Sequence, residues 1–484
     1  MEKQGKVWLV GAGPSDAGLM TLKGKAVLEQ ADVVVYDALV SASVLAMIPE
    51  QAQTVYVGKR SGHHSVPQPQ INQILLEQAQ QGKRVVRLKG GDPFLFGRGG
   101  EELELLREHN IPFEVVPGIT SAIAVPAYNG IPVTHRDYCS SVHIITAHSK
   151  QDGELNIPFP ALCQLHGTLV FLMGVTSMER ICRGLLQVGM DAQTPAAILQ
   201  EGTSAAQRRV VATLSTLVER AQQEKIQAPA VLVIGKVCQL ADQLSWTQLR
   251  PLDKVRVILT RPKELVSRMA DRLYQLGAQV IELPSISLQP YEENEPLKTA
   301  LEHLESYRWV AFTSIAGVRI FFEQLRKQGF YADLMPEEYY AADLGRALAQ
   351  QMQPGERLLL PRAKMGSQEL TDILQQQGIH CTDLPLYDTV YTSHNCDKVR
   401  QMIEENAISC AVFTSASTVE GFVRSMQDCP LRGLRALCIG EKTAQAARQA
   451  GMQVSVSKQA TIDSLTELLL EQADSLRLQP ADHE

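Results

Sequence analysis

The chain has no C-x-x-C pair, and its nine cysteines keep no regular spacing. That argues against a disulfide framework and against a zinc site, leaving the cysteines as small apolar residues, most of them buried or half-buried. Long uncharged apolar runs are also missing. Met1-Glu2-Lys3-Gln4-Gly5-Lys6 leads straight into a strand-like run, so neither a targeting segment nor a membrane span is read, and a cytoplasmic location is expected. Overall positive charge is absent too: a net charge of −7 disfavours nonspecific binding to nucleic acid or anionic membrane. Finally, Gly11-Ala12-Gly13-Pro14-Ser15-Asp16 lacks the third glycine of a dinucleotide fingerprint. An aspartate at that place repels phosphate, and Pro14 removes an N–H that a phosphate would use. The loop suits a cationic or neutral ligand better, although a plain strand-to-helix turn and a dinucleotide fold both stay open on these residues alone.

What is present is an ordinary globular composition, 45% hydrophobic and 20% charged, in a chain of 484 residues. That length is too great for one core and predicts two to four α/β units. Strand-like runs at Val7–Val10, Val33–Tyr36, Val85–Leu88, Val142–Thr146, Leu169–Met173 and Val231–Ile234 alternate with helical stretches such as Ile71–Gln80 and Glu101–Arg107. The alternation reads as parallel α/β. Periodicity breaks over Leu244–Lys254, and a new strand begins at Val255, giving a division into 1–243, a linker at 244–254, and 255–484.

The second part echoes itself. Phe312-Thr313-Ser314 matches Phe413-Thr414-Ser415, and Leu259-Thr260-Arg261 matches Leu360-Pro361-Arg362, so a duplicated lobe is expected. The interval from Phe312 to Gly329 is shorter than that from Phe413 to Gly451, which predicts that the first copy lacks about one β–α element.

Two features carry chemistry. Residues 90–102 hold five glycines around Asp92, Arg98 and Glu101. Glycine costs roughly 0.5–1 kcal/mol in regular structure, so the cluster predicts either tight turns or backbone pressed against a ligand. From Lys59 to Arg98, seven Lys/Arg face two acids, a run that reads as a solvated face or as a surface for a polyanionic substrate.

Taken in order, Gly11-Ala12-Gly13-Pro14, Val34-Val35-Tyr36-Asp37, Val57-Gly58-Lys59-Arg60, Arg87-Leu88-Lys89-Gly90-Gly91-Asp92-Pro93, Phe96-Gly97-Arg98-Gly99-Gly100-Glu101-Glu102, Val116-Pro117-Gly118-Ile119-Thr120-Ser121 and Pro132-Val133-Thr134-His135-Arg136-Asp137 resemble uroporphyrinogen-III C-methyltransferase over about Val7–Leu244. Ser15 stands where that family usually has glycine. The resemblance implies a two-lobed α/β tetrapyrrole-methylase fold, a homodimer, S-adenosylmethionine (SAM) as methyl donor, and methylation of uroporphyrinogen III at C2 and C7 to precorrin-2. It implies that Pro14, Gly90, Gly91, Asp92, Leu95, Thr120, Ser121, Met173 and Gly202 line the SAM site and that Arg136 meets the substrate. A sulfonium donor needs carboxylates and carbonyl dipoles rather than a phosphate cradle. Methylating a pyrrole carbon leaves a cation that must lose a proton, so a base is required. The resemblance gives Asp37 and Lys59 as proton acceptor and donor, with Arg98 and Glu101 as rivals. Arginine rarely deprotonates and fits a carboxylate clamp better. The bland alternatives are Asp37 as a helix cap, Lys59 as a solvated charge and Met173 as core filler.

Residues from about Val255 to Leu470 resemble uroporphyrinogen-III synthase, through Leu259-Thr260-Arg261-Pro262, the two Phe-Thr-Ser turns, Leu384-Pro385-Leu386-Tyr387-Asp388-Thr389 and Ile439-Gly440-Glu441-Lys442-Thr443-Ala444. This implies a two-lobed α/β fold in which the chain starts in one lobe, builds the other and returns near Tyr387. The implied reaction closes hydroxymethylbilane with inversion of ring D and loss of water. Turn N–H groups and hydroxyls at Thr313, Ser314, Thr414, Ser415 and Thr443 would hold carboxylate arms, and Tyr387 would assist the leaving hydroxyl unless it only packs between lobes. Product and substrate of the two activities coincide, so a bifunctional enzyme is expected. The competing readings are a synthase-like half that only binds tetrapyrrole, a noncatalytic two-lobed binding protein, and a dinucleotide-dependent oxidoreductase.

Overall fold

The computed structural model describes residues 5–58, 66–147, 156–261, 263–312, 314–327, 352–364, 369–392, 396–427 and 429–479. Two compact units emerge, residues 1–283 with 394–484, and residues 284–393.

In the first unit, β1 (Lys6–Gly11), β2 (Val33–Tyr36), β3 (Gln53–Tyr56), β4 (Arg84–Lys89) and β5 (Phe113–Val116) form a sheet in the order β3-β2-β4-β1-β5. All its pairings are parallel. Val7, Leu9 and Val10 of β1 and Val33, Val34 and Val35 of β2 are fully buried. A parallel sheet is covered on both faces, and so its strands carry near-continuous apolar runs.

The next sheet contains β6 (Val142–Thr146), β7 (Thr168–Leu172), β8 (Pro195–Gln200), β9 (Arg208–Thr213) and β10 (Ala230–Ile234), ordered β6-β7-β10-β8-β9. Only β6 and β7 run parallel; the other three pairings are antiparallel. The expectation of a parallel fold throughout the first half is therefore corrected. For β8–β9 the cause is the direct pairing in which Gln200 faces Arg208, a short connection that no parallel crossover allows, and β10 runs antiparallel to both its neighbours, β7 and β8.

The third sheet, β12-β11-β17-β18-β19, joins β11 (Arg256–Leu259) and β12 (Gln279–Glu282) to β17 (Cys410–Phe413), β18 (Arg435–Cys438) and β19 (Gln453–Val456), all parallel. Residues 244–254 do not hang free between this sheet and the preceding ones. Leu252 is fully buried, its N–H bonds Leu276 O at 2.9 Å, and Trp246 Nε1 donates to Ala127 O at 2.9 Å while its ring packs edge-on against Tyr128. Ala205 N bonds Gln279 Oε1 at 3.0 Å, tying the second sheet to the third.

The second unit carries β13 (Ile286–Pro290), β14 (Trp309–Val310), β15 (Arg357–Ala363) and β16 (His380–Tyr391), ordered β13-β16-β15-β14. Here the internal echo becomes geometry. The Leu-Thr-Arg strand β11 lies between β12 and the Phe-Thr-Ser strand β17, just as the Leu-Pro-Arg strand β15 lies between β16 and β14, with parallel pairing in every case. The short interval from Phe312 to Gly329, on which a missing β–α element was expected, holds the helix Ile315–Lys327, while Thr313 and residues 328–351 lie outside the described residues.

Candidate active site

The motifs of the first half converge on one edge of the first sheet. Gly11–Pro14 follows β1, Asp37 follows β2, Gly90–Asp92 follows β4, and Pro117–Ser121 follows β5. This is the carboxyl edge of parallel strands, where ligands of open α/β sheets bind. Gly13 and Gly91 pair across it, with Gly13 N to Gly91 O at 3.2 Å and Gly91 N to Gly13 O at 2.8 Å. A Cβ on Gly118 would fall 2.3 Å from Gly91 O and 2.6 Å from Gly11 Cα, so three loops touch backbone to backbone. Gly91 has φ +69°, and a Cβ there would meet nothing nearer than Ser121 N at 3.9 Å, which leaves room in front of its backbone.

Three other glycines of the 90–102 cluster answer a different need, while a Cβ on Gly100 would meet nothing within 4 Å. Cβ atoms on Gly97 and Gly99 would fall 2.5 and 2.6 Å from Pro93 O, and one on Gly90 2.6 Å from Leu39 Cβ. These glycines let the chain fold against itself. Gly202 is likewise a packing glycine, its Cβ position lying 2.3 Å from Val125 Cγ1.

Asp92 shapes the loop. Its Oδ1 accepts from Phe94 N (2.8 Å) and Leu95 N (3.1 Å), and its Oδ2 accepts from Gly118 N at 3.0 Å. Leu95 is half-buried against the core beside Val125. Thr120 caps the helix Ser121–Tyr128, and the carbonyl of Pro14 accepts from the Thr203 hydroxyl. Asp16 caps its own turn through Gly18 N and accepts from Tyr128 OH at 2.8 Å. Ser15 stands at φ 100°, a conformation natural to glycine. Met173, at φ 56° and 50% exposed, is not core filler.

Asp37 is no cap for the helix Ala42–Leu45, whose N-cap is Ser41. Its Oδ1 accepts from Leu39 N at 3.1 Å and its Oδ2 from Arg87 Nη2 at 3.1 Å. Arg98 and Glu101 form an exposed pair, Arg98 Nε lying 3.1 Å from both carboxylate oxygens; that hydrogen bond raises the guanidinium's already high pKa. Arg136 sits exposed on the turn closed by His135 and Cys139. Lys59 and Thr313 lie outside the described residues.

The basic run from Lys59 to Arg98 is split over its described part, with Arg84 and Arg98 exposed and Arg87 and Lys89 turned inward. Arg84 pairs with Asp32, whereas Arg87 and Lys89 are 3% and 5% exposed and share Glu102, which is fully buried. Burial pushes the Lys89 ammonium below its usual pKa. A second missed feature is an apolar rim: Leu39, Phe94, Phe96 and Ile119, on loops leaving β2, β4 and β5, are 62%, 57%, 40% and 39% exposed. A cavity of about 440 Å³ lined by Asp16, Tyr128, Thr203, Arg250, Tyr274 and Gln279, among others, contains none of the predicted site residues but adjoins them, since Thr203 bonds the Pro14 carbonyl.

In the second half, Ser415 caps the helix Ala416–Met426 through a reciprocal pair, Thr418 N to Ser415 Oγ at 3.2 Å and Ser415 N to Thr418 Oγ1 at 3.3 Å. Ser314 plays the matching part in the second unit, accepting from Gly317 N at 3.0 Å and bonding Tyr387 OH at 3.1 Å. Tyr387 is 4% exposed within that unit's own core, and burial raises its phenol pKa. Thr414 is half-buried after β17, and Thr443 is buried in the first turn of the helix Glu441–Gln449. Lys398, in the helix Asp397–Glu404, donates to Ala38 O at 3.1 Å and to Val40 O, so the third sheet's layer touches the turn that follows Asp37.

A carboxyl-edge cleft closed by glycine contacts, with a carboxylate at its rim, defines a ligand-binding protein of the α/β class. Matches to Tetrapyrrole (Corrin/Porphyrin) Methylases span residues 6–218, and matches to Uroporphyrinogen-III synthase HemD span residues 267–329 and 323–467. The porphyrin biosynthesis protein HemD of Ruminiclostridium josui is 45% identical over 495 residues, covering 97% of this chain and 98% of that protein. The chain belongs to the same family, a tetrapyrrole methylase joined to a uroporphyrinogen-III synthase. Siroheme synthase 2 of Yersinia enterocolitica is 54% identical over 246 residues, 51% of each chain, so the chain spans about half the length of that relative. A uroporphyrin-III C-methyl transferase from Thermus thermophilus, complexed with S-adenyl homocysteine, is 38% identical over 49% of this chain and 99% of that one, with a TM-score of 0.43. Both halves therefore belong to tetrapyrrole biosynthesis, and the oxidoreductase reading is set aside.

Proposed function

We propose that the first half methylates uroporphyrinogen III at C2 and C7, giving precorrin-2, and that the second closes hydroxymethylbilane to uroporphyrinogen III. The observation that carries the methylase reading is the carboxyl edge itself, where open backbone at Gly91 lies beside an apolar rim and a carboxylate. SAM fits this edge, because Gly91 leaves space and the loops offer carbonyls and Asp92 rather than a phosphate cradle. Pro14, Gly90, Gly91, Asp92, Leu95, Thr120, Ser121, Met173 and Gly202 would hold or frame it, and it would supply an electrophilic methyl group. Leu39, Phe94, Phe96 and Ile119 suit the flat face of a macrocycle, while Arg98, fixed by Glu101, and Arg136 suit its acid arms. Asp37 accepts the proton that the methylated ring sheds, and Lys59 is the proposed donor.

In the synthase half, the helix N-termini capped by Ser314 and Ser415, with Thr313, Thr414 and Thr443, meet carboxylate arms through N–H groups. Tyr387 donates toward the leaving hydroxyl through its contact with Ser314. The domain division at 244–254, a homodimer through the methylase half and a cytoplasmic location complete the proposal; among the described residues no helix is long and apolar enough to cross a membrane.

The test is to incubate the full chain with hydroxymethylbilane, with and without SAM. Uroporphyrinogen III alone is expected without SAM and its dimethylated product with it. Failure to cyclise would leave a synthase-like half that only binds, and unmethylated or trimethylated product would overturn the methylase reading.

A further inference from the structure

Alternate residues of a strand share a face, and on β4 this sends Arg87 and Lys89 together into the protein. Glu102, on the helix Gly99–Glu108, meets them there. Its Oε1 accepts from Arg87 Nε (3.1 Å), Lys89 Nζ (2.9 Å) and Gln68 Nε2 (3.1 Å), while its Oε2 is buried with no hydrogen-bond partner. The rest of the Arg87 fork is also committed. Nη1 donates to Leu88 O at 2.9 Å, and Nη2 donates to Asp37 Oδ2 at 3.1 Å.

A buried ionic cluster is a poor source of stability, since apolar residues of similar volume usually serve as well. This cluster also runs outward. It begins at a carboxylate with no exposure and ends at Asp37, whose side chain is 25% exposed at the edge where the cleft loops gather. Arg87 reads both ends with one rigid, planar group, a task a lysine ammonium cannot perform.

We infer that Arg87, itself fixed by Glu102, is a positioning residue that aims the Asp37 carboxylate at the macrocycle. The step it serves is the proton loss that follows methylation: a C–H bond of the cationic ring breaks, its electron pair returns to the ring, and the proton passes to an Asp37 oxygen. This rests on the proposed role of Asp37 as proton acceptor.

The test is a double-mutant cycle on the full chain with Asp37→Asn, Arg87→Lys and both together, reading methyl-transfer kcat with saturating substrates. Arg87→Lys keeps a cation beside Glu102 but loses the fork, and a misaimed group costs on the order of 100-fold in rate. The expectation is a kcat loss of about 10- to 100-fold, unchanged calorimetric SAM affinity, unchanged cyclisation by the other half, and a double variant no slower than Asp37→Asn. If Arg87→Lys unfolds, Arg87→Gln, which leaves Lys89 opposite Glu102, takes its place in the cycle. Losses that multiply in the double variant, or full activity of the Arg87 variant, would overturn the inference alone. Full activity of Asp37→Asn would overturn both the inference and the proposed base, with methylation itself still standing.

Discussion

Replacing Ser415 separates a hydroxyl that builds the fold from one that grips a ligand. Its Oγ accepts from Thr418 N at 3.2 Å, so Ser415→Ala removes one half of the reciprocal cap and leaves Thr418 Oγ1 in place for Ser415 N. Loss of an N-cap of this kind costs about 1 kcal/mol, within a range of roughly 0.5–2. Since each 1.4 kcal/mol is tenfold in an equilibrium, the first turn of the helix Ala416–Met426 should open about fivefold more often. Hydrogen exchange read by mass spectrometry over 416–420 checks this directly. Ser415→Asp should restore protection, because aspartate caps as well as serine and its charge favours a helix N-terminus. Cyclisation by Ser415→Ala should keep its KM. A raised KM with unchanged exchange would refute the reasoning, because the hydroxyl would then be bonding substrate and not the helix.

Three further outcomes are expected. Ser15→Gly, relieving a φ of 100°, should raise stability by about 1 kcal/mol in denaturant unfolding. Glu114, held at about 2 by Lys23 and Lys6, has a folded pKa below its unfolded value, so its contribution is present above about pH 4.3 and lost as pH falls through about 2. The difference in urea midpoint between the wild type and Glu114→Gln should therefore shrink from pH 6 to pH 2. Lys398→Met, which removes the donor to the Ala38 and Val40 carbonyls, should slow methyl transfer severalfold in a radiolabel assay while cyclisation is unaffected; equal rates would show the contact to be idle.

Strands such as β1, β2 and β4 were legible because a buried parallel strand must be apolar on both faces, whereas β3, β5 and the apolar β8 were not read. β9 was not, since Arg208 and Arg209 open it, and pairing direction leaves no mark in a single strand. The site loops were readable from their glycines, although most of those glycines serve contacts within the protein. The buried cluster was the larger miss. Charge counting placed Arg87 and Lys89 in a surface run because their partner, Glu102, lies 15 and 13 residues on. A signal was available: Gly99, Glu102, Leu103 and Leu106 are all buried, and their i, i+3, i+4, i+7 spacing puts Glu102, unlike Glu101, on the inward stripe.

The chain order of the third sheet bears on how this protein is made. Arg256, at the start of β11, bonds Ser409, 153 residues downstream, and β12 is the only neighbour of β11 that precedes the second unit in the chain. At ribosomal speeds of about 5–20 residues per second, one apolar flank of β11 waits roughly 8–30 s for β17 to emerge. During that interval the nascent chain exposes an open sheet edge, and binding by chaperones is expected to concentrate there.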